Sequence, residues 1–136
     1  MLSGKTRNNV RAFYRDEDGS FAIEAVIWTP IFVIILALMI NLSTVFFNES
    51  QVLRVVQDAN RAYSLGRLET EQETEDYITA QLAYMSSAFT VETTKNGGMI
   101  TTSVSVPAME LMPMNLMTSA YDTLVLNVSG QQLIEY

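Results

Sequence analysis

One long apolar block constrains this 136-residue chain more than anything else in it. From Ala25 to Ile40 only Thr29 and Pro30 break a run of aliphatic and aromatic side chains, and Leu42, Val45, Phe46 and Phe47 carry it past Asn41, Ser43 and Thr44. Counted from Phe21 to Phe47, the block exceeds the roughly 20 helical residues that cross a hydrocarbon core of about 30 Å. It reads as a transmembrane helix. A cleaved secretory signal competes with this reading, because Lys5, Arg7, Arg11 and Arg15 precede the run. Such a signal has an apolar core of only about 7 to 15 residues and a small-residue cleavage site behind it, whereas this run is longer and leads into VFFNESQVL.

Charge is distributed unevenly about the block. Residues 1–19 hold four basic and three acidic side chains, residues 48–136 four basic and eleven acidic, within a net charge of −7. The positive-inside tendency keeps the amino terminus cytoplasmic and sends the acidic remainder across the membrane. Nucleic acid is not an expected partner, since phosphate binding calls for a basic patch. With no cysteine, disulfides and thiolate chemistry are excluded; with no histidine, the commonest acid/base group near neutral pH is missing. No nucleophile-and-base pair, phosphate loop or zinc spacing is evident, so neither catalysis nor a cofactor is expected.

Residues 1–19 read as a solvated leader, 20–47 as the membrane helix and 48–66 as its continuation. In the last segment Val52, Val55, Val56, Ala59, Ala62 and Tyr63 form a helical stripe opposite Gln51, Arg54, Gln57, Asp58 and Arg61. One helix from about Ser20 to Leu65 would be about 68 Å long at 1.5 Å per residue, with Gly66 its stop. Residues 67–136 form a small head. Thr70 and Glu73 make a capping box for a second helix whose apolar face is Tyr77, Ile78, Leu82 and Met85. Phe89, Val91, Ile100, Val104 and Val106 then alternate about Asn96-Gly97-Gly98, a hairpin signal. The stretch TLVLNVSGQQLIEY reads as a short strand, a turn at Ser129-Gly130 and a further strand. The expected class is α+β: a long membrane helix running on as a stalk, a second helix and a small antiparallel sheet.

Glu24 is the residue that asks for an explanation. A carboxylate in lipid is costly, so an intramembrane glutamate is a functional signal, softened here because Glu24 lies about one turn into the helix, where the dipole favours negative charge. The alternative is a side chain that snorkels to the interface and does nothing. Gly19, Ser20, Phe21, Ala22, Ile23 and Glu24, behind a short basic leader and ahead of an apolar helix, resemble the type IV prepilin processing signal. With Pro30 six residues after Glu24, GSFAIEAVIWTP is similar to the start of TadE-like pseudopilins of tight-adherence (Flp) pilus systems, broadly G-x-x-A-x-E-x-A-x-x-x-P. The departure is Val26 where an alanine is common.

The resemblance implies a pilin-like lollipop fold and cleavage between Gly19 and Ser20 by a prepilin peptidase. It implies registry roles for Phe21, Glu24 and Pro30, with the new Ser20 amine meeting a neighbour's Glu24 in the stacked subunits. It further implies a single-pass protein of the bacterial inner membrane with a periplasmic carboxyl terminus; whether it enters the fibre, sits at its tip or stays in the inner membrane is left open. Its partners would be the peptidase, the major pilin, other minor pilins, the inner-membrane assembly platform and the lipid bilayer. Two other functions stay open: a single-span envelope sensor or ligand-binding protein with an acidic head, and a type II secretion pseudopilin. Cleavage separates the sensor from the pilin.

Two further features weigh less. Met109, Met112, Met114 and Met117 could offer thioethers to Cu(I), yet methionines more often fill irregular gaps or form adaptable surfaces, and no His or Cys assists them. Glu69, Glu71, Glu73, Glu75 and Asp76 lack the ligand spacing of a calcium loop and read as a solvated helix start. Asn41 and Ser43, in the outer part of the span, either join helices or mark its boundary.

Overall fold

The computed structural model describes residues 18–114 and 122–135, with side chains from Phe21 onward. The leader before residue 18, Met117 and Tyr136 lie outside the described residues. Five principal elements follow in order: α1 (Asp18–Ser64), α2 (Glu71–Leu82), β1 (Thr90–Asn96), β2 (Met99–Pro107) and β3 (Val125–Leu133), with a 3-10 turn at Ala108–Leu111. The chain is therefore α+β, with a long apolar helix, a second helix and a three-stranded antiparallel sheet in the order β1-β2-β3. It divides into two compact units, the first ending at Leu38 and the second beginning at Met39.

The described part of the first unit is helix alone. Every residue from 21 to 36 is exposed, and the helical assignment runs through Pro30 without a break. The Thr29 hydroxyl donates to the Ala25 carbonyl at 2.6 Å, one turn back, beside the position where proline withholds a donor.

The second unit has two layers, helix on sheet. Its core is Val52, Val56 and Ala59 of α1, Ile78 and Leu82 of α2, Val104 of β2 and Val128 of β3. The α1 stripe lies where periodicity placed it: Val52, Val56, Ala59 and Tyr63 are buried, and Arg54, Gln57, Asp58 and Arg61 are exposed. Its end is a Schellman motif. Gly66 takes φ 70°, its N–H donates to Tyr63, and that of Arg67 donates to Ala62.

Helix α2 begins as its cap predicts. The Thr70 hydroxyl accepts from the Glu73 N–H at 3.1 Å, while the Glu73 carboxylate reaches back to the N–H of Glu69, one residue before the cap. Its buried face is Thr74, Ile78 and Leu82, which corrects the expectation for Tyr77. Residues spaced by four share a face, so Tyr77 turns about 100° from Ile78 and stays 38% exposed, whereas Thr74 faces the core. Met85 lies beyond the helix end but still packs on the core. Replacing Ile78 or Leu82 with alanine would cost about 2–5 kcal/mol.

Strands β1 and β2 form a two-residue hairpin, with Asn96 opposite Met99 and both Gly97 and Gly98 at positive φ, 58° and 81°. Positive φ at both central positions is the type I′ turn that suits the twist of paired strands. In β2, Ile100, Thr102, Val104 and Val106 are buried in strict alternation.

The turn expected at Ser129-Gly130 is absent: β3 continues through both residues, paired to β2 from Val125 to Leu133. Glycine is used there for clearance. A Cβ on Gly130 would stand 2.8 Å from Val56 Cγ1, so α1 approaches β3 at a point where a side chain has been removed.

Candidate functional site

Two arrangements stand out, one in each unit. In the first, Phe21, Glu24, Ala25, Trp28 and Phe32 line one open groove along α1. Their spacing of three and four residues puts them on a single helix face. Trp28 and Phe32 meet with ring centroids 6.4 Å apart and planes tilted by 47°. Phe21 is 75% exposed, and Glu24 is exposed in the same groove. Thus a carboxylate sits between Phe21 and Trp28 in an aromatic strip that nothing in the described chain covers. The most apolar stretch of α1 has mean hydropathy 2.5 and is only 6% buried. Burial of such side chains is worth roughly 25 cal/mol per Å², so this surface requires an apolar environment from lipid or from other helices.

Gly19 and Ser20 lie in the first turn of α1, which starts at Asp18. The first four N–H groups of a helix have no intrahelical acceptors, so the backbone donors of this turn are not used within α1. Pro30 lies one turn and a half beyond Glu24 on the exposed helix. Phe21 and Glu24 thus share one groove, while Pro30 does not line it.

In the second unit, four polar residues of α1 grip the backbone of the chain's last third. Asn41 Nδ2 donates to the Met114 carbonyl at 2.9 Å, and the Met114 N–H donates to Asn41 Oδ1 at 3.2 Å. Asn48 donates to the Leu111 carbonyl at 3.3 Å, Asn60 to that of Gly130 at 3.1 Å and Ser64 to that of Leu133 at 2.7 Å. Asn41, Asn60 and Ser64 are buried. The sequence signal for Asn41 was an amide inside an apolar helix, which must find a partner; that the partner is this chain's own peptide was not legible.

Asn60 also anchors a polar line through the sheet. The Thr102 hydroxyl donates to Asn60 Oδ1 at 2.6 Å, and Thr102 and Thr93 hydroxyls are 3.2 Å apart. Thr93 pairs with Thr102, and Thr102 with Gly130, so the three form one row across the strands beneath Val56 and Asn60. The row ends on α2. Glu75 Oε1 accepts the Thr93 N–H at 2.7 Å, and Glu71 Oε1 accepts that of Lys95 at 2.9 Å. These carboxylates occupy the edge of β1 that would otherwise offer free donors, so the acidic run at the start of α2 is more than a solvated face.

Of the methionines, Met109 and Met112 are half-buried, Met114 is 39% exposed, and Met117 lies outside the described residues.

Comparison with known proteins bears on α1. The sequence model of the family described as TadE-like protein matches residues 19–61, which takes in Gly19, Ser20, Phe21, Glu24 and Pro30. No curated protein and no solved structure matches the chain.

Proposed function

We propose, from the TadE-like segment at residues 19–61, that the chain is a minor pilin-like subunit of a tight-adherence pilus machine, serving assembly or initiation of the filament. The observation that carries the reading is the uncovered apolar face of α1 with Glu24 at its amino-terminal end. In this reading α1 anchors the precursor as a single span of the bacterial inner membrane, leader inside and carboxyl terminus in the periplasm. A prepilin peptidase cuts after Gly19, and the role is structural rather than enzymatic.

Cutting there releases a cationic amine on Ser20. When α1 of this chain lies beside the apolar helices of neighbouring pilins, a neighbour's amine meets Glu24, and each charge loses the cost of standing alone in lipid. The carboxylate then both penalises wrong staggers and rewards the right one, the registry use of a buried ion pair. Phe21, Trp28 and Phe32 supply the apolar contact along the same face. The major pilin, other minor pilins and the assembly platform are the partners this chemistry fits.

Co-expression of the full chain with a prepilin peptidase tests the reading. Mass spectrometry should find a product shorter by 19 residues and beginning at Ser20. An intact Met1 end in the presence of active peptidase, or a cut beyond residue 40, would overturn it.

A further inference from the structure

The clasp between Asn41 and Met114 points to a second place at which this chain meets the bilayer. A helix starting at Phe21 has covered about 30 Å by Ile40, the thickness of a hydrocarbon core, so Asn41 falls at the outer boundary of the span. Around it on α1, Met39, Ile40, Leu42, Phe46 and Phe47 are exposed. Whatever covers them is apolar. Yet Asn41 itself is 2% exposed and is hydrogen-bonded to the backbone of Met114.

The form of that contact is what a peptide at this depth needs. Backbone N–H and C=O groups that approach the hydrocarbon have to be satisfied within the protein. Asn41 presents an amide to the Met114 peptide, accepting from its N–H and donating to its carbonyl, and so satisfies both groups together with its own. Asn48, two turns further along α1, makes a single bond, donating to the Leu111 carbonyl at 3.3 Å. The Leu111 carbonyl and both backbone groups of Met114 thus bond to α1, while Met114 remains 39% exposed.

We propose that residues 111–114 form a membrane-contact segment, held on α1 by Asn41 and Asn48 in the outer lipid–water boundary, with Met114 against the acyl chains. The occupant is lipid because the segment is continuous with the exposed apolar belt of α1 at residues 39–47. A flexible thioether side chain suits a fluid neighbour. The proposal rests on the reading of α1 as a membrane span.

The absence of cysteine makes the test clean. Full-length single-cysteine variants Phe32→Cys, Met114→Cys and Thr94→Cys, each carrying an environment-sensitive fluorophore, are reconstituted into phosphatidylcholine vesicles containing a nitroxide-labelled lipid. Labels at 32 and 114 should be quenched by the lipid-borne nitroxide, and the label at 94, at the turn end of the hairpin, should not. Adding Asn41→Leu to Met114→Cys should abolish quenching at 114 and leave the Thr94→Cys label unchanged. A label at 114 as bright as that at 94, with 32 quenched, would overturn this inference and leave the span intact. An unquenched label at 32 would overturn both. Persistent quenching at 114 with Asn41→Leu would remove Asn41 as the holder of the segment.

Discussion

Gly130 and Val56 stand so close that a single methyl on the glycine would lie 2.8 Å from Val56 Cγ1. Gly130→Ala should therefore force α1 and β3 apart at the centre of the core, at a cost of about 1–3 kcal/mol. Val56→Ala alone leaves a void. Combined with Gly130→Ala it should recover part of the loss, because the new methyl enters the space vacated. Urea titration of the full chain in detergent, followed by circular dichroism, measures both; additive losses in the double variant would contradict the geometry.

Thr102→Val keeps the shape of a buried side chain but removes the hydroxyl that donates to Asn60. Leaving the Asn60 carbonyl oxygen and the Thr93 hydroxyl short of a partner should cost about 1–3 kcal/mol. The expected coupling with Asn60→Leu is about 0.5–3 kcal/mol, since the second change removes the stranded group. A double-mutant cycle by the same titration measures it, and a coupling of zero would mean that water replaces the threonine.

Glu24→Leu places an apolar side chain where a carboxylate stood, so insertion into the membrane should be unimpaired. Cleavage at Gly19-Ser20 should persist. Association should fail, because the neighbour's amine loses its partner; loss of one member of a buried pair costs about 3–5 kcal/mol, and a third of that weakens a contact about tenfold. Glu24→Asp should be milder. Crosslinking to the major pilin at equal membrane abundance is the readout, and wild-type crosslinking in Glu24→Leu would reduce Glu24 to a snorkelling residue.

The charge asymmetry about the apolar block predicts that a reporter fused after Tyr136 is active outside the cytoplasm. Protection of that terminus from protease added to spheroplasts would reverse the orientation.

What the sequence made legible was whatever depends on neighbours along the chain. The stop at Gly66, the cap at Thr70 and the I′ hairpin at Gly97-Gly98 are local devices, and each is found where its residues stand. The α1 stripe was legible for the same reason, as was the long apolar run that precedes it. Gly130 was misread because a glycine after a serine signals a turn locally, and only the approach of Val56, more than 70 residues earlier, gives it another use. Asn41 and the α2 glutamates escaped for a related reason: their acceptors and donors are backbone groups, which carry no sequence label.

The row Thr93–Thr102–Gly130 has a consequence for how the strands find one another. A slip of one residue turns a strand's buried side chains outward, and burial alone forbids it. A slip of two preserves the alternation and escapes that check. Among the core-facing residues of β2, however, Ile100, Val104 and Val106 carry no hydroxyl for Asn60. On β3 the neighbours of Gly130 two residues away are Val128 and Gln132, whose side chains would collide with Val56. Asn60 and Val56 therefore proofread the pairing: one amide and one methyl, on the helix packed over the strands, reject the registers that hydrophobicity would accept.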